Sequence, residues 1–250
     1  MMGRESTAPP GMGSQAVFGT THWSVVLAAG DEETPESAAA LEQLCQAYWY
    51  PLYAFVRKQG YSPDDAQDLT QGFFAHILSR HFLRRANREK GKFRSYVLAS
   101  LRYFLADEWA RFHAHKRGSG RVPVSFDAQT AEAQYQNEPA DRMDAEKIFE
   151  RRWALVLLDR VLDRLDQELL QADKKPVFDQ LRGFLIGERG PLNYSEAGSR
   201  LGMSEGAVKV AVHRMRQRYR ELFREEVAHT VGEPSEIDEE IRHIFSILSS

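Results

Sequence analysis

Cysteine is nearly absent from the chain: Cys45 stands alone among 250 residues. That excludes an internal disulfide and fits a reducing compartment. Cys45 lies in an apolar-periodic stretch and reads as a small core residue, not a nucleophile. No apolar run approaches the roughly 20 residues a membrane span needs. The N-terminal stretch MMGRESTAPPGMGSQAV also lacks the apolar centre of a secretion signal, so residues 1–20 read as a flexible tail. Net charge is only −3, so any polyanion site must come from local clustering. A phosphate-binding glycine loop is missing, as is a metal-spaced Cys/His set; His113 and His115, with His76 and His81 distant in sequence, do not read as ligands. No cofactor and no enzymatic chemistry are expected. A soluble cytoplasmic protein is.

Strand-like alternation is also nearly absent, while apolar residues recur at helical spacing over most of the chain. In ESAAALEQLCQAYWYPLYAFVRKQ, Leu41, Leu44, Tyr48, Leu52 and Phe55 share one side, and Pro51 predicts a kink or break. YSPDDAQDLTQGFFAHILSRHF opens with Ser62 as N-cap, Pro63 at the first helical position and Asp64 and Asp65 in the first turn. KFRSYVLASLRYFLADEWARFHAHK predicts a third long helix, ending before Gly118. The polar stretch that follows reads as a linker, and helical pattern resumes with IFERRWALVLLDRVLDRLDQELL. The expectation is an all-α chain of two helical modules, 21–118 and 145–228, joined by a flexible linker, 119–144.

NYSEAGSRLGMSEGAVKVAVHRMRQRYREL carries the sharpest local signal. Asn193 can cap a short helix that Gly202 ends in the left-handed conformation. Ser204 can cap the next helix, on which Val208, Val212, Met215, Tyr219 and Leu222 form one apolar stripe. Met203 should pack inward, and Ala197 and Gly198 should allow a close helix crossing. Lys209, His213, Arg214, Arg216, Arg218 and Arg220 lie off the stripe. This is a helix-turn-helix pattern, whose second helix enters a DNA major groove.

These residues resemble region 4.2 of the extracytoplasmic-function (ECF) sigma factors, in the sigma-70 family. SPDDAQDLTQGFFAHIL resembles their region 2.2, and GKFRSYVLASLRYFLADEWARFHAHKR their regions 2.3 and 2.4. The resemblance covers about residues 40–118 and 150–225, in family order. It implies core RNA polymerase and promoter DNA as partners, leaves room for an anti-sigma factor, and implies no membrane contact. Asp65, Asp68 and Gln71 would bind polymerase. Tyr103, Asp107, Arg111 and Lys116 would meet the opened −10 strand, where aromatic faces stack on bases and cations track phosphates. Ser204, Glu205, Lys209, His213, Arg214 and Arg216 would meet the −35 element. Leu98, Leu101 and Leu105 read as core; Arg94 and Arg102 read as further bases beside the aromatics.

The sequence departs from the family pattern at Val210 and Ala211, where polar and basic residues are common, at Tyr103 in place of Asn, and at Gly72 in place of an acid. After the second module, residues 229–250 form an acidic amphipathic extension with Ile237, Ile241, Ile244, Phe245 and Leu248 on one stripe. This extension either packs on the neighbouring helices or is a regulatory segment that covers the basic face or recruits a partner. The competing function is a stand-alone regulator that uses the same helix-turn-helix without polymerase.

Overall fold

The computed structural model describes residues 23–30, 34–77, 80–114, 128–136, 143–186 and 193–249. Every regular element among them is helical, in agreement with the all-α expectation. The first half contains α1 (Trp23–Gly30), α2 (Pro35–Lys58), α3 (Pro63–Ile77), α4 (Arg80–Arg85) and α5 (Phe93–Ala114). After α6 (Ala128–Gln136) come α7 (Ala145–Gln171), α8 (Lys175–Leu181) and α9 (Gly183–Ile186). The last part is α10 (Tyr194–Leu201), α11 (Glu205–Thr230) and α12 (Ile237–Ser249).

Helix α2 begins at a reciprocal cap: the Ser37 amide donates to Thr34 Oγ1 and the Thr34 amide to Ser37 Oγ, each at 3.1 Å. The predicted break at Pro51 does not occur, since the helix runs through to Lys58. A proline inside a helix costs about 3 kcal/mol, but each fully buried large apolar side chain contributes about 1.5–3 kcal/mol. Leu52, Tyr53 and Phe55 follow Pro51 directly and are almost wholly buried. Packing wins. Cys45 is buried as expected, and burial, with Glu42 nearby, pushes its thiol up to about 11.

Helix α7 organises the rest. Phe149, Trp153, Leu157, Val161 and Leu165 recur every fourth position and are all buried. The helix packs on α2 and on α11, so one apolar cluster draws on residues from both halves of the chain. Tyr48 of α2 stacks on Phe149 with ring centres 6.3 Å apart. The stretch expected as linker contains α6, docked against α2 by polar contacts: the Tyr53 hydroxyl donates to Glu132 at 2.6 Å and Arg57 donates to both Glu132 oxygens at 2.8 and 2.9 Å. The bond from Arg57 holds the Glu132 carboxyl below its ordinary range despite partial burial. An apolar stripe is what periodicity detects, and among the described side chains of α6 only Ala131 is buried, with Tyr135 partly so.

The C-terminal extension packs. Phe245 lies against Phe223 of α11 at 5.8 Å, and Arg224 pairs with Asp238 at 2.5 Å. Ile244 is fully buried, while Phe245, expected on the same stripe, keeps 54% of its surface exposed. Glu240 of α12 is buried against Arg94, which lies 2.5 Å away at the start of α5, and also pairs with Lys92. Arg94 donates from Nε to Glu150 of α7 at 2.8 Å and lies over the Trp153 ring at 4.3 Å. Arg94, expected among the bases near DNA, is therefore only 2% exposed. These contacts to α11 fall on its second half, away from Ser204–Arg214.

Glu240→Gln should destabilise the protein by about 3 kcal/mol, because it strips one partner from a buried arginine. Burial pushes the Glu240 carboxyl up, but Arg94 and Lys92 outweigh it and hold the group below its ordinary value of 4.5. Its stabilisation is thus fully present above pH 4.5 and is lost as pH falls through the lowered native value. Urea titrations at pH 7 and at low pH check both points: the gap between wild type and Glu240→Gln should narrow on acidification.

Candidate nucleic-acid interface

The α10–α11 pair is built by local geometry that the sequence announces. Asn193 Oδ1 accepts from the amides of Ser195 and Glu196 at 3.0 and 3.3 Å. Gly202 ends α10 at φ +65°, and the Met203 amide then reaches back to the Gly198 carbonyl at 2.8 Å. Ser204 Oγ accepts from the Ala207 amide at 3.2 Å and opens α11. Val208, Val212, Met215 and Leu222 are buried, with Tyr219 and Met203 half-buried. Gly198 sits where the helices cross: a Cβ there would lie 2.6 Å from the Met203 carbonyl oxygen. No side chain fits.

The bases of α11 divide into two groups. Arg218 bonds both oxygens of Glu168 on α7 at 2.8 Å, and Arg216 donates from Nη2 to the Phe184 carbonyl at 2.8 Å. Those two tie α11 to its neighbours. Lys209 pairs with Glu205 at 2.6 Å and lies 5.6 Å from the Tyr194 ring centre; the bond from Glu205 raises its ammonium above the ordinary range. His213, Arg214 and Arg220 are exposed, and among the described residues no ion pair or hydrogen bond engages them. The outward face of the first turns is therefore Gly206, Val210, His213 and Arg214, with Lys209 at its edge.

A second face lies on α5. Tyr103 is 80% exposed and Asp107 is also exposed, one turn apart. The other described aromatics turn inward: Phe104 meets Phe73 at 5.5 Å, and Tyr96 meets Phe82 at 4.8 Å while donating its hydroxyl to the Phe82 carbonyl at 3.1 Å. Leu98, Leu101 and Leu105 are core, as expected. Gly72 of α3 has a steric reason, because a Cβ there would meet Phe104 at 3.3 Å. Arg102 pairs with Glu146 of α7. Arg111 lies on α5 with its side chain outside the described residues, and Lys116 lies outside them altogether.

On α3, Ser62 caps as expected, accepting from the Asp65 amide at 3.2 Å. Asp65 and Asp68 are exposed and Gln71 is half-buried. Their spacing of three residues keeps all three on adjoining parts of one face. Among the described residues no group of His, Cys, Asp or Glu could hold a metal ion, and no helix is long and apolar enough to cross a membrane.

Comparison with known proteins finds a relative. The chain is 30% identical over 162 residues to the ECF RNA polymerase sigma factor SigF of Caulobacter vibrioides (strain NA1000 / CB15N), spanning 64% of this chain and 72% of the relative. This chain belongs to the ECF sigma factor family. No family model matches it, and no solved structure does. The sequence does not announce α6, nor that Arg94 is buried and not a base on an outward face. A basic residue in an aromatic-rich helix gives no local sign that acids far along the chain will bury it.

Gly198→Ala should lower stability by about 1–3 kcal/mol through the clash at the crossing. Gly206→Ala, where an added Cβ meets nothing within 4 Å, should leave stability unchanged or raise it by up to about 1 kcal/mol. Paired urea midpoints for the two variants test whether the crossing, and not glycine content, sets this geometry.

Proposed function

We propose that this chain directs core RNA polymerase to specific promoters and helps open them. In this reading α10 and α11 form a helix-turn-helix that docks in the −35 major groove, N-terminus first. The observation that carries it is the outward face of α11, where exposed His213 and Arg214 stand beside Lys209 in the first turns of a capped helix. Ser204 and Glu205 sit at the helix mouth, where backbone amides favour a phosphate. Arg216 contributes from the edge of this face while remaining bonded to Phe184.

The α5 face takes the −10 strand. An outward Tyr103 offers a ring on which an unpaired base can stack, and stacking is worth about 1–3 kcal/mol per base. Asp107 beside it can accept from a base edge, and Arg111 and Lys116 follow toward the basic end of the segment. Asp65, Asp68 and Gln71 present a polar, acidic face of α3 to polymerase. On this reading α3 docks on polymerase, α5 captures the melted strand and α11 grips the duplex. Two helical modules, 21–118 and 145–228, would carry these roles, held together here through α7.

In vitro transcription with bacterial core polymerase and a pooled promoter library tests the proposal. Specific starts should appear only with the protein present. Asp65→Ala plus Asp68→Ala should abolish most of them, and Tyr103→Ala should cut open-complex formation by about tenfold or more. Specific retention of duplex DNA by the protein alone, with no starts on core polymerase, would instead favour a stand-alone regulator.

A further inference from the structure

Resting on the reading of α11 as a groove helix, we propose that Val210 is a specificity-determining residue that reads the 5-methyl group of a thymine in the −35 element. Val210 stands two positions from both Val208 and Val212, about 200° around the helix from the first of these. Those two are buried, so Val210 lies on the far side of the helix, with 51% of its surface exposed, at the edge of a cleft also lined by Leu169, Lys174 and Val177. It sits one turn into α11, between Lys209 on one side and Arg214 one turn further on.

The chemistry narrows what such a side chain can recognise. Valine has no donor or acceptor, so it gains nothing from the polar edges that identify guanine, cytosine or adenine. The thymine methyl is the one apolar feature in the major groove. A cytosine amino group pressed against Val210 would lose water without gaining a partner, so the same contact discriminates against the alternative. On a helix valine is held mainly in one rotamer, so little side-chain entropy is lost on contact.

Gly206 completes the surface. It lies one turn before Val210 on the same outward face, and a Cβ built there meets nothing within 4 Å. With no side chain at 206, a base edge can approach the helix closely enough to touch Val210. Arg214, one turn beyond, supplies the donors for a neighbouring guanine or phosphate. The departure from polar residues at this position is thus a change of readout, from hydrogen bonding to methyl contact.

Promoters with a randomised −35 segment, selected on core polymerase loaded with the full chain, give the preferred sequence. Each thymine in it is then replaced singly by deoxyuridine, which removes only the methyl group. Deoxyuridine at one position should weaken retention about fourfold, the worth of one buried carbon. Val210→Ala should bind the thymine promoter about as weakly as wild type binds that deoxyuridine promoter, and should no longer distinguish the two. A selected sequence without thymine, equal retention of thymine and deoxyuridine promoters, or a deoxyuridine effect that survives Val210→Ala overturns the proposal and leaves the groove reading standing. No selected −35 sequence at all overturns both.

Discussion

A guanidinium withdrawn from water needs counter-charges that come with it, and Arg94 takes them from two distant helices. Glu150 belongs to α7 and Glu240 to α12, while Trp153 covers the cation with its ring. Lys92 adds a second positive charge beside Glu240, so the two cations face two carboxylates and the cluster is electrically balanced. Burying charge is expensive, and the pairing repays it only when the geometry is complete. The start of α5, the middle of the chain and its C-terminal helix must therefore be in place together. Apolar packing of α7 on α2 and α11 supplies the bulk of the burial; the ion cluster fixes which surfaces meet.

That dependence explains what could and could not be read in the sequence. Asn193, Gly202, Ser204 and the Val208–Leu222 stripe were legible because each acts on neighbours within a few residues. A cap, a left-handed glycine and a helical period are all local physics. Pro51 does not break its helix because the burial that overrides its local cost comes from residues elsewhere in the fold. Helix α6 was hidden because Arg57 and Tyr53 hold it by polar bonds, which leave no period behind. Arg94 was hidden for the same reason at longer range: its role is defined by Glu240, near the other end of the chain. Gly72 sits between these cases, visible as an oddity but explained only when Phe104 of α5 is placed against it.

The arginines of α11 show how much of a basic run is structural. Arg216 and Arg218 hold the helix to Phe184 and Glu168, and Arg164 reaches across from α7 to Glu225 and Glu226. In its second half α11 is thus an interface between helices, rich in matched charge. In its first half the outward cations are few. Affinity for duplex DNA grows with the number of phosphates neutralised, so a face offering Lys209, His213, Arg214 and little more should bind weakly alone. Weak binding by itself suits a subunit whose proposed work is done on polymerase, where a second contact raises the effective concentration of the first. In the proposed reading phosphate contacts only position this face, and discrimination falls to side chains that touch base edges. Val210 is the large apolar side chain exposed in the first turns.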